Sequence, residues 1–184
     1  MSKKPIILAK AIVAKSKLFC IESLDLQFSN GELRQYERLA RGQTGAKAVL
    51  IVPLLDDETV LLIREYSAGV DRYELGLPKG KVDAGETILE AANRELKEEV
   101  GYGARKLHLL KTLSIAPSYL EHCIEVVIAQ DLYPEKLQGD EPEELEVIAW
   151  NMQQLTELFN RDDCTEARSI AALYLTKEYL KNDR

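Results

Sequence analysis

The stretch Gly80–Tyr102, "GKVDAGETILEAANRELKEEVGY", decides how this chain is read. It holds five glutamates, and three of them (Glu95, Glu98 and Glu99) crowd together beside Arg94. Like charges at i, i+3 and i+4 weaken a helix by a few tenths of a kcal/mol per pair, so the cluster burdens the element that carries it. On a helical wheel of ~100° per residue, Leu89, Ala92, Leu96 and Val100 form an apolar stripe along Thr87–Val100, with Ile88 at its margin. Glu99 projects between Ile88 and Ala92. An ionised carboxylate at that edge is costly unless a cation or strong hydrogen bonds compensate it. Three such carboxylates suit a hard divalent cation such as Mg²⁺, which takes oxygen ligands. "ELKEE" alone also reads as a solvated glutamate-rich face, so the flanking sequence has to decide.

Working outward, Gly101 is a natural C-terminal stop for the helix, and "RYELGLPKG" before it begins as a short strand and ends in a Gly/Pro loop. "LFCIESLDLQFSNGELRQYERLAR" alternates apolar and polar residues around Asn30-Gly31, which predicts an antiparallel hairpin of Lys17–Ser29 and Glu32–Leu39. "RGQTGAK" reads as a break, placing an N-terminal β subdomain at 1–44 and the main domain at 45–184. Further strands are expected at Ala48–Leu54, Val60–Tyr66, Leu107–Ile115, Cys123–Asp131 and Glu146–Trp150, and closing helices at Met152–Asn160 and Glu166–Leu180. Strands, a helix, more strands and closing helices predict an α/β (α+β) fold with a sheet packed between helices.

The 184 residues can bury roughly 70% of the unfolded surface without staples. Hydrophobic residues at 46% and charged ones at 30% describe an ordinary soluble protein. Cys20, Cys123 and Cys164 are scattered and form no CxxC pair, as expected of free thiols in a reducing, cytoplasmic setting. "PIILA" is too short for a signal-peptide core, and no run approaches the ~20 apolar residues of a membrane span. A net charge of −7 argues against nucleic-acid or membrane partners, and an anionic substrate would need a cation to mediate.

Gly80, Glu86, Arg94, Glu95, Leu96, Glu98, Glu99 and Gly101 together resemble the Nudix box: glycine, five residues, glutamate, seven residues, then Arg-Glu-aliphatic-x-Glu-Glu-x-Gly-apolar. Tyr102 is a mild departure at the usually aliphatic end. The resemblance implies an α/β/α sandwich with a mixed sheet, the N-terminal hairpin subdomain being an appendage. It implies a small-molecule nucleotide substrate and Mg²⁺ as cofactor, with Mn²⁺ as a substitute. Glu95, Glu99 and Glu98 would carry the metal with the carbonyl of Lys79, and Glu86 would pair with Arg94 to fix loop against helix.

Outside the box the chain resembles the ADP-ribose pyrophosphatase group nearly end to end, most closely its NudE branch of ADP-compounds hydrolases. "FSNGELRQYER" is similar to a hairpin that contributes to dimerisation there, which implies a homodimer. "APSYLEH" places Pro117 at a position that marks ADP-ribose-type members. The loop "GDEPEE" resembles a Glu-x-Glu pair, implying Glu141 as general base with Glu143 in support. Glu121 and Glu125 are alternatives for that task. Where the group carries an arginine after "QY", this chain has Ser67, and Arg64 is the nearest cation for a substrate phosphate. "ELGLPKG" resembles hydrolases of diadenosine polyphosphates, with Lys79 as a further phosphate contact. Tyr73 and Tyr119 flank the expected cleft and could stack on a base. His108, His122 and Trp150 read as structural.

These implications amount to a Mg²⁺-dependent pyrophosphatase of ADP-ribose, NADH and diadenosine triphosphate that releases AMP. The alternatives are a preference for longer dinucleoside polyphosphates, or a non-catalytic nucleotide-sensing module.

Overall fold

The computed structural model describes residues 3–40 and 47–182. The break expected at "RGQTGAK", with its domain boundary, lies outside the described residues except for Lys47. The chain divides into two compact units, Met1–Ala46 with Ser114–Cys123, and Lys47–Leu113 with Ile124–Arg184.

The first unit carries an antiparallel sheet of β1 (Ile6–Lys15), β2 (Cys20–Gln27) and β3 (Leu33–Leu39), in that spatial order. The β2–β3 hairpin turns at Asn30-Gly31. Gly31 takes the positive φ of +87° that the turn demands, and Asn30 Oδ1 accepts from the Glu32 N–H at 3.1 Å. β2 starts at Cys20, not Lys17, because Ser16 closes a turn by accepting from the Phe19 N–H. Strand β1 extends the expected hairpin. It is exposed at every position, so no buried face imposes a period of two on its sequence, and alternation could not reveal it. The segment 114–123 joins this unit where Leu39 bridges Leu120 and the Arg38 guanidinium meets Glu121 at 3.1 Å.

The second unit contains β4 (Ala48–Pro53), β5 (Thr59–Ser67), β6 (Arg72–Gly76), β7 (Lys79–Lys81) and helix α1 (Ile88–Glu95), which continues as a π-helical turn at Leu96–Val100. Then come β8 (Tyr102–Ser114), β9 (Cys123–Pro134), β10 (Glu146–Asn151), α2 (Leu155–Phe159) and α3 (Ala167–Asn182). The helix expected at Met152–Asn160 is a 3₁₀ turn, Met152–Gln154, followed by the short α2. One sheet has the order β10-β5-β6 and the other β7-β4-β9-β8. The second is mixed, since β4 runs parallel to β9 and antiparallel to β7.

Strand β4 shows why helices must cover both faces. Leu50 and Val52 pack in a core with Leu155, Leu158, Ala172 and Leu173 of α2 and α3. Val49 and Ile51 face a second core with Ala91, Ala92, Leu96 and Val100 of α1. A strand buried on both sides loses polar alternation, hence the unbroken "VLIV". The expected α/β/α sandwich is what results. Among the described residues no helix is long and apolar enough to cross a membrane.

Candidate active site

Helix α1 is started by a reciprocal cap. The Thr87 Oγ1 accepts from the Glu90 N–H at 3.2 Å, and Glu90 accepts from the Thr87 N–H at 2.8 Å. Gly101 ends the helix with φ +83°. The buried face runs through Ala91, Ala92, Glu95, Leu96, Glu99 and Val100. Leu89, expected in the apolar stripe, is 37% exposed, and Ala91 lies inside instead. The alanines let the helix sit close against β4, and that close contact rotates Leu89 outward. Glu98 and Glu99 fall in the π-helical turn, a distortion that recurs at functional sites.

The carboxylates on this face are held in very unequal surroundings. Arg94 donates to Glu86 Oε1 at 2.8 Å, to Glu95 Oε1 at 2.9 Å, to Glu98 Oε2 at 2.9 Å and to the Lys81 carbonyl at 2.9 Å. Glu95 is 8% exposed and Glu99 only 4%. Burial raises the Glu95 pKa against the pull of Arg94. Burial pushes Glu99 further, up to about 8, although Lys79 opposes it. Glu99 Oε2 accepts from the Lys79 N–H at 3.0 Å. Gly80 is required here, since a Cβ would overlap the Glu95 carboxylate.

Glu95, Glu98 and Glu99 line a cavity of about 540 Å³ together with Glu141. Glu65 of β5 joins them, ion-paired to the Lys79 ammonium. No group of three or more His, Cys, Asp or Glu is closed round one point among the described residues, and Arg94 stands between Glu95 and Glu98. The donor set is nonetheless all hard oxygen, and burial disfavours its charge. Such a set fits a divalent cation, which would supply the missing positive charge.

The loop that follows β9 approaches the helix closely. A Cβ on Gly139 would overlap the Glu141 carboxylate and lie 3.5 Å from the Glu98 Cβ. Glu143 does not line the 540 Å³ cavity; its Oε1 accepts from the Tyr73 hydroxyl at 2.7 Å. Glu125 is occupied by the Thr112 hydroxyl at 2.6 Å. Arg64 lies outside this cavity, because Glu146 at 2.8 Å and Asp163 at 2.5 Å hold its guanidinium. Pro117 and Tyr119 belong to the first unit, where they line a separate cavity of about 550 Å³ that also includes Glu121 and His122. His108 stacks on Tyr179 with ring centres 4.9 Å apart, and Trp150 packs against the core. The expected site omitted Glu65. Its only sequence signal is a charged residue ending the apolar run of β5, which any strand end can show.

The family model of the NUDIX domain matches residues 45–173, and the chain belongs to the Nudix hydrolase family. Residues 5–38 match the NudE-type Nudix hydrolase N-terminal domain. The chain is 52% identical to the ADP compounds hydrolase NudE of Escherichia coli K12, over 97% of its own length and 95% of that protein's. It is 28% identical to the ADP-ribose pyrophosphatase of Bacillus subtilis, over 90% of this chain and 91% of the relative. A crystal structure of an ADP compounds hydrolase superposes with a TM-score of 0.90 at 51% identity, covering all of this chain and 97% of the other.

Proposed function

We propose that the protein hydrolyses the pyrophosphate linkage of ADP compounds, with ADP-ribose, NADH and diadenosine triphosphate as substrates and AMP as a product. The observation that carries this reading is the meeting of Glu95, Glu98 and Glu99 with Glu141 in one cavity. The names of the similar proteins support the substrate class. Glu95, Glu98 and Glu99, with the Lys79 carbonyl, would hold Mg²⁺. Bound there, the ion supplies charge that screens the diphosphate and acidifies water.

The chain's own residues do the rest. Arg94 ties Glu86 of the loop to Glu95 and Glu98 of the helix, which holds the two helix carboxylates at the cavity. Gly80 leaves room for the Glu95 carboxylate against the backbone of β7. The Lys79 N–H fixes Glu99 Oε2. Glu141 takes the proton of the attacking water at a carboxylate oxygen.

The protein acts as a homodimer joined through the N-terminal sheet, a reading supported by exposed Ile6, Ile7, Ile12, Val13 and Leu33 on β1 and β3. The three cysteines are all free, in keeping with the cytoplasm. A panel of ADP-ribose, NADH, diadenosine triphosphate and diadenosine tetraphosphate with Mg²⁺, resolved by chromatography, tests the reading. AMP from the first three supports it. Cleavage of the tetraphosphate alone would assign the longer dinucleoside polyphosphates, and binding without turnover would assign a sensor.

A further inference from the structure

A base borne on a loop works only if the loop is held. From the contacts of that loop we infer that the Tyr73 hydroxyl, through Glu143, latches residues 138–145 so that Glu141 stays over the carboxylate helix. Tyr73 and Glu143 are then positioning residues, an inference that rests on Glu141 being the base.

The loop is pinned at both ends by contacts of other kinds. Upstream, the Glu135 N–H donates to the Gly101 carbonyl at 3.0 Å and the Leu137 N–H to the Lys97 carbonyl at 3.1 Å. The Lys136 ammonium donates to the Glu98 carbonyl at 2.8 Å. Residues 135–137 thus take up carbonyls at the C-terminal end of the carboxylate helix, which would otherwise lack partners. Downstream, Glu146 opens β10 opposite Arg64 and is ion-paired to it at 2.8 Å.

Between these anchors, among the described residues, 138–145 make no backbone hydrogen bond of the turn or loop kind. The bond from Tyr73 to Glu143 fills that gap. Tyr73 is itself well placed: its ring meets Tyr66 edge-on at 5.7 Å, and the Tyr66 hydroxyl is fixed on Asp71 Oδ1 at 2.6 Å. Glu143 spends an oxygen on this bond and lies outside the 540 Å³ cavity, lining instead an adjoining one of about 370 Å³ with Glu98 and Glu141. The latch leaves Glu141, two residues earlier, on the cavity wall beside Asp140.

The test combines kinetics with hydrogen exchange on the full-length protein. Tyr73→Phe keeps the ring and removes the hydroxyl. It should lower kcat about tenfold, the scale of a hydrogen bond to a charged group. KM and the half-saturating Mg²⁺ concentration should hardly move, and amides at 138–142 should exchange faster while those of 88–100 do not. Glu143→Ala should match it, and the double variant should be no slower than either single, because both remove one contact. Glu143→Gln keeps an oxygen for the hydroxyl and should lose less than Glu143→Ala. The inference is overturned if Tyr73→Phe leaves both kcat and loop exchange at wild-type values. It is equally overturned if Glu143→Gln is as slow as Glu141→Gln, which would put the Glu143 charge in the chemistry. A rise in KM for Tyr73→Leu without a loop effect in Tyr73→Phe would instead make Tyr73 a base-stacking residue. The exchange measurement needs no substrate. A wild-type enzyme inert on ADP compounds would therefore sink the function while the latch is still judged by exchange.

Discussion

Two sets of half-buried or buried glutamates in the second unit are treated in opposite ways. Near α3, Glu74 accepts from the Thr165 N–H and hydroxyl, each at 3.0 Å, and from Arg72 at 2.5 Å. Glu166 accepts from the Ser169 N–H at 2.8 Å, its hydroxyl at 2.9 Å, and Arg168. Burial pushes both acids up, yet these partners overcome it and hold both below the ordinary carboxylate range. On α1, burial wins instead, and Glu95 and Glu99 are raised. An acid that serves the fold carries its own donors and cation. On the proposed function, Glu95 and Glu99 leave part of their compensation to be supplied by a bound cation.

The largest effect expected from this contrast is on turnover. Glu99→Gln should lower kcat by about 10³-fold, comparable to losing a preorganised electrostatic group. A chelator should abolish activity in the wild type, and Mg²⁺ should restore it. A Glu99→Gln enzyme with full activity would erase the difference between the two sets. Gly80→Ala comes next: its Cβ must displace the Glu95 carboxylate, so turnover should fall about 10²-fold, the scale of a ~1 Å misplacement. Steady-state kinetics with a Mg²⁺ titration checks both.

Glu74→Ala should show the reverse profile. It removes the bonds to the Thr165 N–H and the Arg72 guanidinium, both of which water can reach, destabilising the fold by about 1 kcal/mol. Turnover per folded molecule should fall far less than in Glu99→Gln. Urea unfolding beside kinetics measures the split.

The smallest and sharpest prediction concerns pH in metal-free protein. Burial pushes the folded-state Glu99 carboxyl from its ordinary 4.5 up to about 8, so the folded state holds its proton across that window and the unfolded state does not. Stability from this group is therefore fully present below about 4.5 and is lost as the pH rises to about 8. Glu74 and Glu166 have the opposite sign: their contribution is present above 4.5 and is lost as the pH falls through their lowered values. Melting temperatures between pH 5 and 8.5 in a chelator should decline in the wild type and decline less in Glu99→Gln, where the raised Glu95 remains. An undiminished decline in the variant would assign it elsewhere.

The carboxylate helix was legible because its chemistry and its periodicity share one short span. Glu95, Glu98 and Glu99 can be read from helical spacing, Glu86 and Arg94 from the resemblance to the Nudix box, and Asn30-Gly31 marks the hairpin just as locally. Other parts left little local trace. β1 has no buried face, so its residues carry no alternating pattern. Leu89 fitted the wheel but not the packing, since close contact of Ala91 and Ala92 with β4 chose the rotation. Arg64 reads from the sequence as the nearest cation for a substrate phosphate. Its partners Glu146 and Asp163 arrive from much later in the chain.

By itself, then, the sequence determined the family, the carboxylate helix and the alternation of strands and helices, because each depends on neighbours a few residues apart. Tertiary structure alone decided that Glu65 faces the cavity, that Arg64 is spent on an ion pair, and that Tyr73 holds Glu143. The physical reason is range. A side chain's charge state and partners depend on what packs within a few ångströms of it, and folding brings those groups together from distant positions.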